Sequence, residues 1–173
     1  MLTVSGLECL RGERHLFRNL DFSVDSGELL HVQGANGSGK TSLLRILAGL
    51  SRPDYGTVRW DDTNIQESRE EYAAQLLYLG HQPAVKDDLT VIENILVSSR
   101  IAGLNPSQDE IRAALEITGL GKRKTLPARV LSQGQRRRLA LARLWLDKRP
   151  LWVLDEPFTA LDVQATALLE ERL

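Results

Sequence analysis

The sequence has a single cysteine, Cys9, which excludes an internal disulfide and fits a reducing compartment. No apolar run approaches the roughly 20 residues that a membrane-spanning helix needs, and residues 1–6 lack the basic and apolar regions of a signal peptide. The net charge of -1 gives no global electrostatic reason to bind nucleic acid. The 173 residues, without internal repeats, suit one domain with a sizeable core.

The glycine-rich segment at residues 34–41 has the pattern of a phosphate-binding loop. It fits G-x-x-x-x-G-K-[ST], in which glycines turn backbone N–H groups inward, the lysine reaches the β- and γ-phosphates and the hydroxyl ligates Mg²⁺. Residues 29–32 before this segment are apolar enough for a buried strand. Residues 42–50 after it predict a helix in which Leu43, Leu47 and Leu50 share one face with Leu44. The bland alternative is a helix-initiating turn with an incidental lysine. The predicted nucleotide-binding residues are Gly34, Ala35, Asn36, Gly37, Ser38, Gly39, Lys40 and Thr41.

The remaining pattern predicts an α/β protein. Strands are expected at residues 2–8, 19–26, 56–60, 75–79 and 151–154. Capping boxes at Thr90/Glu93 and Ser107/Glu110 predict helices to about residues 101 and 118, so residues 83–131 form a helical insertion. A long helix is expected over about 132–147, and a last helix begins near Asp162 and still runs at residue 173.

Two further segments carry candidate site residues. The strand at 151–154 ends in Asp155 and Glu156, which suit a Mg²⁺ shell and a base for the attacking water, or else an ordinary acidic strand end. Ser132 and Gln135 form another capping box, and a helix N-terminus of small and polar residues also binds anions well.

In order along the chain, these segments resemble the ABC ATPase family. Residues 34–41 resemble its Walker A, 79–82 its Q-loop, 131–135 its LSGGQ signature, 151–156 its Walker B and 159–162 its D-loop. The resemblance implies a P-loop fold with a mixed central sheet, an N-terminal antiparallel part and the helical insertion, all in one nucleotide-binding domain over residues 1–173. Residues 82–90 and 136–143 further resemble the ATP-binding subunit of the bacterial haem exporter of cytochrome c biogenesis.

The family resemblance also implies roles. Two copies pair head to tail when ATP binds, so that each ATP lies between Walker A of one copy and the signature of the other. Glu156 and Gln82 act in hydrolysis, Asp155, Thr41 and Gln82 hold Mg²⁺, and Asp162 couples the two sites. Integral-membrane permease subunits are the expected partners, at the cytoplasmic face of the inner membrane, and no nucleic acid is expected. The implied signature contacts to ATP are Leu131, Ser132, Gln133, Gly134 and Gln135.

The sequence departs from the family pattern in three ways. Arg11 takes the place of the aromatic residue that stacks on adenine, which a guanidinium can also do. Gln133 replaces a signature glycine, and the sequence leaves two outcomes open: its side chain crowds the phosphate, or it donates a hydrogen bond to it. The three histidines (His15, His31 and His81) precede Walker B, whereas the family's switch histidine follows the D-loop helix. The expectation is a fragment, cut short at its C-terminus, that binds ATP and Mg²⁺ and hydrolyses ATP slowly.

Arg136, Arg137 and Arg138 fan around a helix, which favours a solvated surface over a nucleic-acid patch.

Three candidate functions remain at this point. The leading function is an ATPase subunit that powers a membrane exporter. The others are an ABC ATPase acting on nucleic acid or ribosomes, and a regulatory nucleotide-binding module without catalysis.

Overall fold

The structure is a computed structural model that describes all 173 residues. The chain divides into two compact units. The first unit comprises Met1–Tyr78 and Arg149–Asp155, and the second comprises Leu79–Lys148 and Glu156–Leu173. Asp155 and Glu156 are therefore consecutive residues that belong to different units.

An antiparallel sheet forms much of the first unit. Its strands are β1 (Leu2–Arg11), β2 (Arg14–Val24), β3 (Tyr55–Trp60) and β4 (Thr63–Asn64), in the order β2-β1-β3-β4. All neighbouring pairs run antiparallel, and β1 and β2 form a hairpin in which Arg11 faces Arg14. The predicted antiparallel N-terminal part is confirmed.

The rest of the first unit packs helices and a second sheet on this base. It contains α1 (Lys40–Leu47), α2 (Arg69–Gln75), and a two-stranded sheet of β6 (Leu151–Leu154) and β5 (Leu76–Leu79), of which Leu79 is counted in the second unit. Helix α1 buries the apolar face that its helical period predicts, with Leu43, Ile46 and Leu47 in the core. It ends before Leu50, which is exposed, so the predicted place of Leu50 on that face is wrong.

The predicted strand at residues 29–32 is absent. The segment lies outside both sheets, and the side chains of Leu29 and Leu30 are 65% and 47% exposed. A strand forms only where neighbours complete its backbone hydrogen bonds. The apolar run predicts burial, but it carries no information about whether a neighbouring strand is there to pair.

The second unit is built from helices. They are α3 (Val91–Ile101), α4 (Gln108–Ile117), α5 (Gln133–Leu141) and α6 (Val163–Arg172), with 3-10 turns at Gly121–Arg123, Ala128–Val130 and Ala142–Trp145. Residues 83–131 contain helices and turns without a strand. The fully buried core side chains include Val91, Ile95, Ile111, Leu115, Leu120 and Leu139.

The helix starts in this unit follow their capping boxes. Thr90, Ser107 and Ser132 each accept from the backbone N–H three residues later, and the side chain at that later position accepts in return. The predicted helix over 132–147 instead tightens into a 3-10 turn after Leu141, a common way for a helix to end. None of the helices in the structure combines the length and apolar character needed to traverse a bilayer.

Candidate functional site

The glycine-rich loop of the first unit closes as a tight turn before α1. The Ser38 N–H donates to the Ala35 carbonyl at 3.1 Å, and Gly37 and Gly39 have φ values of 78° and 100°, a region that favours glycine. A Cβ on Gly39 would lie 2.9 Å from the Leu16 Cβ of β2. The loop therefore packs closely on β2 and leads into the positive end of α1.

The loop is open to solvent and carries one ammonium group. Residues 34–37 are exposed. Lys40 Nζ donates to the carbonyl oxygens of Gly34 at 2.8 Å and Ala35 at 3.1 Å, so the lysine side chain lies back across the loop. Its positive charge is held where the loop can receive an anion.

Thr41 and Asp155 come together beside this loop. Thr41 Oγ1 donates to Asp155 Oδ1 at 3.4 Å, and Asp155 is 2% exposed at the end of β6. A hydroxyl and a carboxylate are the hard oxygen ligands that Mg²⁺ prefers. The two residues fit a Mg²⁺ ion held jointly by the protein and a phosphate group.

Arg11 lies at the exposed end of β1, next to the hairpin turn of the same unit. This position leaves its guanidinium accessible. Stacking of Arg11 on adenine stays a prediction.

In the second unit, Glu156 contacts His81 and Thr159. His81 Nδ1 lies 3.0 Å from Glu156 Oε2, and the Thr159 hydroxyl donates to the same oxygen at 3.3 Å. The Thr159 N–H also donates to the Glu156 carbonyl at 3.1 Å. Glu156 itself has a φ of 49°, the left-handed region that non-glycine residues rarely adopt.

Arg137 corrects the sequence interpretation of the three arginines. It is only 4% exposed, and it donates to the backbone carbonyls of Gly80, His81 and Glu156. The predicted solvated surface is therefore wrong for this residue. The burial of its guanidinium is tolerated because the backbone carbonyls accept its hydrogen bonds. The helical period could have found it, since Gly134, Arg137 and Leu141 share one face.

The flanking arginines behave differently. Arg136 Nη1 lies 2.5 Å from Asp87 Oδ1, and Arg138 Nη1 lies 3.8 Å from Asp162 Oδ2. Both are partly exposed. The three consecutive arginines therefore contact three different sets of residues.

The signature segment starts α5. Ser132 Oγ accepts from the Gln135 N–H at 3.3 Å, Gln135 Oε1 accepts from the Ser132 N–H at 3.0 Å, and Leu131 before them is buried. Gln133 is exposed. A Cβ on Gly134 would lie 2.8 Å from the Ala160 carbonyl oxygen, so α5 and the following D-loop segment touch through the backbone.

Two more predicted residues have defined places in the second unit. Asp162 is the N-cap of α6, where its Oδ1 accepts from the Ala165 N–H at 2.9 Å. Gln82 is exposed and directly follows the two Q-loop residues whose carbonyls Arg137 binds. The structure therefore groups Gln82, Glu156 and the start of α5 within the second unit.

The family model described as "ABC transporter" matches residues 17–159.

The chain belongs to the ABC transporter family.

Its curated relatives include the cytochrome c biogenesis ATP-binding export protein CcmA of Nitrosomonas europaea, 55% identical over 98% of this chain and 80% of the relative. The protein of the same name from Dechloromonas aromatica is 53% identical over 95% of this chain and 81% of its own.

A solved structure described as the ATP-binding subunit of an ABC transporter is also similar. It has a TM-score of 0.87 and 27% identity, and the match covers 99% of this chain and 72% of that one. The ABC-type P-loop fold and the family resemblance are thereby confirmed. The chain is an ABC-type ATPase, and proteins of this kind bind ATP. The roles of individual residues stay predictions.

Proposed function

We propose that this chain is the ATP-binding and ATP-hydrolysing subunit of an export complex for cytochrome c biogenesis, and that haem is the exported or delivered group. The observation that carries this proposal is the identity to proteins named for that export role. It extends over 98% of the chain in one relative and 95% in another. Identity above 50% over nearly all of this chain goes beyond a shared fold.

Nucleotide binding is assigned to the first unit. The loop at residues 34–41 receives the phosphates through its backbone N–H groups, aided by the positive end of α1 and by the Lys40 charge. Thr41 and Asp155 would hold Mg²⁺, which neutralises phosphate charge in this reaction class. Arg11 is assigned to adenine.

Hydrolysis is assigned to Glu156, with Gln82 assisting at the metal or the water. A carboxylate held by His81 and Thr159 has a defined orientation, which a general base for water requires. Glu156 directly follows the metal-ligand candidate Asp155 in the chain, and this supports the assignment.

A second copy of the chain is expected to complete each ATP site with residues 131–135, and Asp162 links the two sites. The exposed Ser132 and Gln133 at the start of α5 suit contact with a nucleotide held by another copy. Integral-membrane permease subunits are the proposed partners, which places the chain peripherally at the cytoplasmic face of the inner membrane.

Complementation tests this function. The full chain is expressed in a bacterium that lacks its own cytochrome c biogenesis ATP-binding export protein, and mature c-type cytochromes are measured by haem staining. We expect restoration by the wild type and by Arg136→Gln, because the Arg136 side chain contacts Asp87 and neither residue is among the predicted site residues. We expect none from Lys40→Ala or Glu156→Gln.

Purification of the chain from the same cells tests the partners. Integral-membrane subunits should co-purify with the wild type, and Glu156→Gln should be trapped as an ATP-bound dimer. Failure to restore cytochromes together with salt-sensitive binding to RNA or DNA would favour the nucleic-acid alternative. ATP-dependent dimerisation without a membrane partner would favour the regulatory module.

A further inference from the structure

The Arg137 guanidinium joins two separate segments that carry the predicted catalytic residues. Nη1 donates to the carbonyl oxygens of Gly80 at 3.0 Å and His81 at 3.3 Å, and Nη2 donates to that of Glu156 at 2.6 Å. The first two residues immediately precede Gln82. One buried side chain on α5 therefore contacts both the start of the Q-loop and the backbone of the candidate base.

The chemistry of arginine suits this task. Its planar fork presents several N–H donors in fixed directions, and its charge persists at every physiological pH. Lysine offers donors from a single point and cannot reproduce the fork. The acceptors are backbone carbonyls, so this contact fixes the paths of the main chain.

The backbone at Glu156 needs such support. Its φ of 49° brings Cβ close to the carbonyl oxygen, which costs free energy for any residue with a side chain. The Glu156 carbonyl accepts from both Arg137 and the Thr159 N–H. The Glu156 carboxylate contacts His81, and Arg137 also donates to the His81 carbonyl. Arg137 thus supports the backbone of Glu156 and the backbone of His81.

We propose that Arg137 is a positioning residue for ATP hydrolysis: it holds the turn at Glu156 and the Gly80–His81 segment so that the Glu156 carboxylate keeps its orientation. This inference rests on the proposed role of Glu156 as the base. Because Arg137 sits in the helix that starts with the signature, movement of α5 would also move the base.

Steady-state ATP hydrolysis by the full chain separates positioning from general support. The variants are Arg137→Lys and Arg137→Gln, with Arg136→Gln as the matched control from the same helix. We expect kcat to fall about tenfold or more in both Arg137 variants, with the KM for ATP within about twofold of wild type. Arg137→Lys should retain more activity than Arg137→Gln, and the control should match wild type.

A double variant tests whether Arg137 acts through the base. If it does, adding Arg137→Gln to Glu156→Gln should not lower the residual turnover further, because the orientation of the base no longer matters. Independent, multiplied losses would overturn the proposal. Wild-type turnover in the Arg137 single variants would overturn it as well.

The remaining outcomes are also decisive. If both Arg137 variants fail to fold, or lose ATP binding in proportion to kcat, the residue is structural and the positioning role is refuted. If Glu156→Gln itself retains wild-type turnover, the proposed base is wrong. Loss of turnover in Glu156→Gln with normal Arg137 variants would refute the positioning role alone.

Discussion

Replacement of Gly134 by alanine adds a methyl group where α5 meets the D-loop segment. Its Cβ would lie 2.8 Å from the Ala160 carbonyl oxygen, a separation that real Cβ atoms essentially never show. The obstacle is backbone, so a side-chain rotation cannot relieve it. Ala160 already has a φ of 61°, which leaves the loop little freedom to move without further strain.

Two opposing terms set the size of the effect. Alanine is favoured over glycine by up to about 1 kcal/mol inside a helix, and by less in the first turn, where Gly134 lies. Forcing an extra methyl into a packed contact costs about 1–3 kcal/mol. The clash should win, so we expect Gly134→Ala to lower the free energy of unfolding by about 1–2 kcal/mol.

Urea unfolding followed by circular dichroism measures this change. Gln133→Ala is the matched control, because Gln133 is the exposed residue immediately before Gly134 and its change should stay within about 0.5 kcal/mol. A Gly134→Ala chain as stable as wild type, or more stable, would refute the reasoning. It would show that the D-loop yields freely and that the contact does not constrain α5.

Further predictions concern hydrogen bonds and ionisation. Tyr72 is 3% exposed, and its hydroxyl donates to the last carbonyl of α1. Tyr72→Phe should therefore lower the free energy of unfolding by about 1–2 kcal/mol in the same urea assay, and an unchanged value would contradict that hydrogen bond. At both Glu93 and Glu110, the hydrogen bond from the N-cap amide, and then that from the N-cap hydroxyl, lowers the pKa of the carboxyl group below 4.5. These bonds therefore stabilise the folded chain above that pH, and the stabilisation is lost as the pH falls through the lowered values. Acid titration of helix content should therefore be less steep in the Glu93→Gln, Glu110→Gln double variant, and an identical titration would refute the linkage. Burial, and then the charge of Asp155, raises the pKa of Tyr78, so Asp155→Asn should lower that pKa in an ultraviolet absorbance titration; an unchanged value would contradict a nearby Asp155 charge.

The sequence was informative wherever the determining contacts are local. The loop at 34–41 is recognisable because its function needs glycines, a lysine and a hydroxyl at fixed spacing. The helix starts at 90, 107 and 132 follow from pairs three residues apart that satisfy each other's backbone. These features depend mainly on residues that lie close together in the chain, so the local sequence is enough to predict them.

The tertiary structure decided what depends on distant partners. It shows Arg137 buried against carbonyls 57 and 19 residues away along the chain, where the sequence favoured solvent. It places His81 against Glu156 and Gly134 against Ala160, and it leaves residues 29–32 outside the sheets despite their apolar side chains. Composition and period report how much a segment gains from burial, whereas the contact it finally makes depends on which other segments the fold brings beside it.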